Sequence, residues 1–66
     1  MIYIIAVYYR DTAGILHHHK NWKGEADSVG DAKYQAMLDV LADEKAPSRS
    51  RSWKAEFFPD QQGYEP

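Results

Sequence analysis

Three consecutive histidines, His17, His18 and His19, are the residues of this chain best suited to metal chemistry. The residues around them predict a β-strand, in which alternate side chains point to the same face. His17 and His19 are therefore expected to lie side by side, as two ligands of a zinc ion do. The nearest carboxylates along the chain are Asp11, Glu25 and Asp27. No spacing fixes their approach to the histidine pair, so the sequence leaves a zinc site incomplete.

Two other uses of the histidines need no metal. In a half-exposed polar strand the imidazoles would face water or stack on tyrosine rings, and the unfixed ligand geometry favours this interpretation. Imidazole side chains also change charge at about pH 6.5, so pH sensing by this cluster is a further hypothesis. We predict no metal and no cofactor.

Nucleophilic catalysis is the second chemistry that the residue types allow. Ser48, Ser50 and Ser52 could be paired with a histidine base, but they lie between arginines in a predicted connection. They lack the strained G-x-S-x-G turn that exposes a nucleophile, and serine in a connection usually serves loop hydrogen bonding. A chain of 66 residues also has little material to enclose a pocket of roughly 300–1,000 Å³. We therefore predict that the protein is not an enzyme.

Basic and aromatic residues are mixed before and within the last predicted strand. We define the basic strip as Arg49, Arg51 and Lys54, which Lys20 and Lys23 of the second predicted strand extend. Such mixtures bind nucleic acid, because cations neutralise phosphates and rings stack on bases. The net charge of −2 and the expected burial of Trp53 favour the simpler explanation, a solvated connection.

An acidic row follows the predicted helix at intervals of four residues. We define the acidic row as Asp31, Gln35, Asp39 and Asp43. Like charges at this spacing slightly destabilise a helix, so the row could serve to meet a basic groove on a partner protein. The alternative is a solvated face that keeps the protein soluble. We predict that partner contacts use either the acids of this row or Arg49, Arg51 and Lys54.

The elements that carry these residues follow from apolar patterning. Residues 2–9 are mostly β-branched or aromatic and predict a strand. Residues 11–14 predict a type I turn that Gly14 closes with a G1 bulge, and the chain then returns as a strand over residues 15 to about 23. Residues 53–58 predict a third strand, which Pro59 ends. Residues 59–66 are expected to form a flexible tail.

One helix is predicted between the second and third strands, because apolar residues recur there at intervals of three and four. Its expected inner stripe is Val29, Ala32, Ala36, Met37, Val40 and Leu41. Ser28 is the expected N-cap, with Asp31 three positions later. Pro47 disfavours a helical conformation at Ala46, so the helix is expected to stop near Lys45. The sequence thus predicts one α+β domain over residues 1–58, in which an antiparallel sheet (a hairpin plus a third strand) packs one helix on one face, in the order ββαβ.

The hairpin register decides which side chains share a face. The pairs expected to face the helix are Tyr9–Leu16, Val7–His18 and Tyr3–Trp22. The opposite face is expected to carry Ile2, Ile4, Ala6, Tyr8, His17 and His19. A slip of one residue would exchange the faces. Because one helix covers only one face, the other is predicted to keep an apolar patch, which usually marks an interface.

The segment from Glu25 to Ala36 resembles the strand-to-helix junction of small phage-encoded ββαβ proteins. In those proteins a run of the form A-x-S/T-x-x-x-A-x-x-x-A opens the single helix, and Ala26, Ser28, Ala32 and Ala36 match it. The group includes inhibitors of host RNA polymerase and anti-CRISPR proteins. The resemblance implies a non-enzymatic inhibitor that occupies a site on a host protein complex in the bacterial cytoplasm. It carries over no functional residue, because these families share no common site.

Composition agrees with an intracellular protein. There is no cysteine, and hence no disulfide or thiolate metal site. The apolar start lacks the basic beginning and cleavage site of a signal peptide, and it is shorter than the roughly 20 residues that a membrane helix needs. The leading hypothesis is a protein-binding module, a phage or mobile-element inhibitor of a host complex. The alternatives are a nucleic-acid-binding protein that uses the basic strip and a self-associating structural protein, such as a homodimer joined through its sheets.

Overall fold

The computed structural model describes residues 1–43 and 52–63, and it confirms the α+β fold with element order ββαβ. Its elements are β1 (Ile2–Arg10), β2 (Leu16–Glu25), α1 (Val29–Leu41), β3 (Ser52–Phe57) and a short 3₁₀ helix, η1 (Pro59–Gln61). The three strands form an antiparallel sheet in the order β2-β1-β3. The unbroken apolar run of β1 is explained by this order, since β1 lies between the other two strands. No helix in the described residues is long and apolar enough to cross a membrane.

The turn between β1 and β2 is of the predicted kind. The Gly14 N–H donates to the Asp11 carbonyl over 3.0 Å, and Gly14 has a φ of +83°, which L side chains rarely adopt. The Asp11 carboxylate also accepts from the backbone N–H groups of Ala13 and Ile15, each at 2.9 Å. The Asp11 N–H donates to the Ile15 carbonyl, so the bulge adds one residue to β2 before strand pairing begins.

The predicted register of the hairpin is wrong, because it leaves out two bulges, each of which adds one residue to the second half of the hairpin. The first is the Gly14 bulge, which makes Arg10–Leu16, Tyr9–His17 and Tyr8–His18 the actual pairs. The second is at His19, where the register shifts again, so that Val7 pairs with Lys20 and Tyr3 with Gly24. Near the turn the prediction is off by one residue, which places His17 on the helix side and His18 on the other. Beyond His19 it is off by two, which leaves Trp22 on the helix side as expected.

Small helix residues and large sheet residues make up the core. Ala32, Ala36 and Val40 are fully buried and pack with Ile5 and Val7 of β1. Partly buried side chains of the sheet surround this cluster: Tyr3, Trp22, Trp53, Ala55 and Phe57. The predicted helix-facing side of β1 is therefore confirmed.

The ends of α1 differ in how well the sequence predicts them. The Asp31 N–H donates to the Ser28 hydroxyl over 3.1 Å, so Ser28 is the N-cap. The helix ends at Leu41, earlier than predicted, because no large apolar residue follows that could pack on the sheet; Lys45 itself lies outside the described residues. Leu41 is also wrongly assigned to the inner stripe, since its side chain is exposed.

The segment after β3 folds back against β1. The Ile4 N–H donates to Gln62 Oε1 over 2.7 Å, and Gln62 Nε2 donates to the Ile4 carbonyl over 3.0 Å and to the Phe58 carbonyl over 2.9 Å. The Gln62 amide thus takes the place of a strand residue beside β1, just past the last β1–β3 pair, Ile5–Phe57. The sequence assigns residues 59–66 to a flexible tail. In the structure residues 59–61 form η1, and Gln62 forms this amide clamp. Residues 64–66 lie outside the described range.

The sheet face opposite the helix exposes less apolar surface than the sequence predicts. Ile4 and Ala6, expected on an uncovered patch, are 4% and 5% exposed. Ala6 lies beside the segment that carries Gln62, which explains how a face without a helix is covered. Ile2 and Leu16 stay exposed at opposite ends of this face, so the residues that the structure describes form no single large apolar patch there.

Candidate functional site

His17 is held by contacts with the hairpin turn and with Tyr9. Its Nε2 lies 2.7 Å from Asp11 Oδ2, and its ring stacks on Tyr9 at a centroid distance of 5.1 Å. The hydrogen bond to His17, followed by that from the Ile15 N–H, lowers the pKa of the Asp11 carboxyl below its ordinary value of 3.8. Stacking on tyrosine, the alternative that the sequence offers, is what the structure shows for this residue.

His19 lies on the same side of the sheet, closer to the helix. Its ring meets Trp53 edge-on at 5.2 Å. Its Nε2 is buried without a hydrogen-bond partner, and the Asp43 Oδ2 atom is 3.8 Å away. His18 points to the opposite face, where its Nε2 lies 2.8 Å from Asn21 Oδ1.

The histidines do not assemble a metal centre in the part of the chain that the structure describes. His17 and His19 share a face as predicted, but each approaches a different carboxylate, and the Tyr9 ring contacts both imidazoles. No group of three or more histidine, cysteine or acidic side chains comes together within the described ranges 1–43 and 52–63.

The acidic row lies along β2, and its side chains are partly exposed. Asp39 forms an ion pair with Lys20, and Asp43 lies beside His19. Gln35 Nε2 donates to Asp31 Oδ2 over 3.0 Å and to the Glu25 carbonyl over 3.2 Å. The row is thus a polar seam between α1 and β2, and a partner that used these acids would compete with contacts inside the molecule.

The described lysines of the basic strip are divided between the two faces of the sheet. Lys20 pairs in register with Val7 on the helix side, whereas Lys23 pairs with Ile4 and Lys54 with Tyr8 on the other side. Lys54 also forms an ion pair with Glu56, at 3.2 Å. Arg49 and Arg51 lie outside the described residues. Lys20 therefore does not continue a strip with Lys54, which weakens the nucleic-acid hypothesis.

An apolar stripe on the outer side of α1 is the feature that sequence reasoning missed. Tyr34, Leu38 and Leu41 are 64%, 48% and 69% exposed, and we call them the outer stripe. Their spacing of four and three residues places them on one side of the helix, away from the buried Ala32 and Ala36. The solvent side of a helix usually carries polar residues. The signal was present in the sequence, since the apolar residues of α1 occupy more than one side.

Comparison with protein-family models, with curated proteins and with solved structures found no match. The outer stripe and its surroundings must therefore be interpreted from their own chemistry. Neighbouring exposed apolar side chains are typical of a surface that another molecule covers.

Proposed function

We propose that this protein is a non-enzymatic protein-binding module that inserts the outer stripe of α1 into an apolar groove of a partner protein. The observation that carries the proposal is the exposure of Tyr34, Leu38 and Leu41 on a helix whose opposite side already packs on the sheet. Helices that bind grooves use anchors with this kind of spacing. Because the rest of the fold holds α1 in place, little conformational entropy is lost when the helix docks.

The size of the anchors fits such a contact. Complete burial of a large apolar side chain contributes roughly 1.5–3 kcal/mol, and aromatic residues such as Tyr34 are frequent among the residues that dominate binding energy. Three adjacent anchors therefore suit a specific but modest interface, of the kind that a regulatory protein forms.

The charge around the outer stripe indicates the chemistry of the partner. Within α1 itself, Asp31 and Asp39 outnumber Lys33, and Asp39 keeps 45% of its side chain exposed despite its ion pair. A groove with a basic rim would complement this helix and accelerate association. The acids that the sequence suggested as contact residues would then lie at the rim of the interface, with the apolar anchors at its centre.

A more specific form of the proposal is an inhibitor that occupies a site on a bacterial protein complex, such as RNA polymerase or a CRISPR-type defence complex. The ββαβ order and the alanine-serine run that opens α1 support it. Those features resemble small phage-encoded inhibitors, and they give no information on which complex is bound.

The test is affinity capture from a bacterial lysate with two matched variants. Leu38→Glu places a charge in the outer stripe, and Ile15→Glu places the same charge on a similarly exposed apolar residue, 58% accessible, at the hairpin turn. We expect a stoichiometric protein to be retained by the natural chain and by Ile15→Glu, and to be lost with Leu38→Glu. Direct titration of the purified partner with the three proteins should reproduce this order.

Two results would overturn the proposal. Equal retention by Leu38→Glu would show that the partner binds elsewhere. Sedimentation of the natural chain as a dimer that Leu38→Glu dissolves would assign the outer stripe to self-association instead. Circular dichroism of both variants checks that the fold is unchanged, which is expected because both substituted side chains are exposed.

A further inference from the structure

A cavity lies on the sheet face opposite the helix, away from the outer stripe. It has a volume of about 420 Å³. It is lined by Ala6 and Tyr8 of β1, by His18 and Asn21 of β2, and by Asp60, Gln61 and Gln62 of the segment after β3. A cavity of this size is within the range that small-molecule and side-chain ligands occupy.

Hydrogen bonds and ring contacts hold the walls in place without a ligand. On one side, His18 Nε2 lies 2.8 Å from Asn21 Oδ1, and the His18 ring meets Tyr8 edge-on at 5.2 Å. On the other side, the Gln62 amide binds the Ile4 backbone and so fixes η1 over the sheet. Ala6 also lines the cavity, although only 5% of its surface is accessible. The site is therefore preorganised, which lowers the entropic cost of binding.

The charge of the lining selects the kind of ligand. Asp60 is the acidic residue among the lining residues, and none of the lysines or arginines in the described ranges lines the cavity. Tyr8 adds an aromatic side chain. A carboxylate and an aromatic ring that line the same cavity suit an organic cation, because the carboxylate pairs with the charge and the ring attracts it through its π-electrons.

We propose that this cavity binds a flat cation of the guanidinium type, with Asp60 accepting its N–H groups and Tyr8 packing against its plane. Guanidinium fits better than ammonium, because its planar fork matches a carboxylate and also stacks on aromatic rings. The cation has two natural sources, a free small guanidine or an arginine side chain of a peptide. This site is separate from the outer stripe, so its test is independent of the proposed function.

The experiment is an NMR titration of the ¹⁵N-labelled full-length chain with n-butylguanidinium and, as a control of equal shape without charge, n-butylurea. We expect saturable shifts at the amides of Ala6, Tyr8 and Asn21 with the cation, and binding of the urea that is weaker by about tenfold or more, the usual effect of one charge-assisted hydrogen bond. Asp60→Asn should weaken the cation by a similar factor. Asp27→Asn removes an exposed carboxylate outside the cavity and should leave the affinity unchanged.

A second arm separates the two sources by comparing n-butylguanidinium with the peptide acetyl-Ala-Arg-Ala-amide, each of which carries one positive charge. Tighter binding of n-butylguanidinium would indicate a free guanidine, and tighter binding of the peptide would indicate an arginine side chain. The proposal is overturned if the urea binds as well as the cation, if Asp60→Asn binds the cation normally, or if the cation shifts no amide of the cavity.

Discussion

The two sides of α1 reverse the usual distribution of side-chain size. The inner side contacts the sheet through Ala32, Ala36 and Val40, whereas the outer side exposes Tyr34 and Leu38 to solvent. The small inner residues let the helix approach a sheet that supplies the bulk of the core itself, through partly buried tryptophan, tyrosine and phenylalanine rings. The large outer residues therefore have no role in filling this core. Hydrophobicity alone therefore does not determine which side of a helix is buried, because the volume available on the sheet decides it.

The largest difference in stability is expected between a variant that enlarges the inner side of α1 and a variant that reduces its outer side. Ala36→Leu adds volume to a fully buried position and should destabilise the fold by about 1–3 kcal/mol through overpacking. Leu38→Ser removes an exposed side chain and should change stability by no more than about 0.5 kcal/mol. Urea unfolding followed by circular dichroism measures both. If Leu38→Ser proved as destabilising as Ala36→Leu, the outer stripe would belong to the core.

The sheet face away from the helix offers the next test, because there a single amide replaces a packed element. Gln62→Ala removes three hydrogen bonds at Ile4 and Phe58 and should cost about 1–2 kcal/mol. The neighbouring Gln61→Ala should cost less than about 0.5 kcal/mol, since Gln61 is exposed. Hydrogen exchange at the Ile4 amide should accelerate only in the Gln62 variant. Unchanged protection there would show that the amide clamp does not hold the segment.

The flank of α1 that faces β2 makes a third kind of contact, which is ionic instead of apolar. A double-mutant cycle with Lys20→Met and Asp39→Asn should give a coupling energy of about 0.2–1 kcal/mol, as for other exposed ion pairs. The coupling should shrink in about 0.5 M salt because of screening. A coupling that is independent of salt would contradict an exposed ion pair.

The smallest effect is expected at the hairpin turn, which contacts neither side of the helix. The His17 contact lowers the folded-state pKa of Asp11 below 3.8, so its stabilising contribution is present above pH 3.8 and is lost as the pH falls through the lower folded value. NMR titration of the Asp11 carboxyl carbon should show this low midpoint. In the His17→Ala variant the midpoint should move up towards 3.8. A midpoint that ignores the substitution would mean that His17 does not bind the carboxylate.

Local signals in the sequence predicted the parts of the fold that are set locally. The Asp11–Gly14 turn and the Ser28 cap each depend on side chains within a few residues, and the strand and helix periods gave the ββαβ order. The predicted register is wrong because the pairing was counted without the Gly14 bulge and because no residue pattern indicates the bulge at His19. The Gln62 clamp joins residues 58 positions apart, so no local pattern could reveal it.

The candidate surfaces were harder to predict than the elements. The period of α1 showed that it has apolar sides, but the choice between the alanines and the outer stripe depended on how much volume the sheet supplies. The acidic row looked like a solvent-facing row because the register error hid Lys20 and His19, which lie beside Asp39 and Asp43. The cavity depends on the position of η1, which follows from the Gln62 clamp.

The bulge at His19 also changes the edge that β2 offers to other molecules. β2 is an edge strand of ten residues, and a long regular edge is a template on which strands of other molecules can add. The extra residue at His19 interrupts the regular spacing of backbone donors and acceptors along β2, and bulges increase the local twist of the strand that contains them. A second molecule therefore meets two short, misaligned edges in place of one long edge. We therefore expect the same irregularity that brings His19 beside Asp43 to limit the growth of fibrils from this strand.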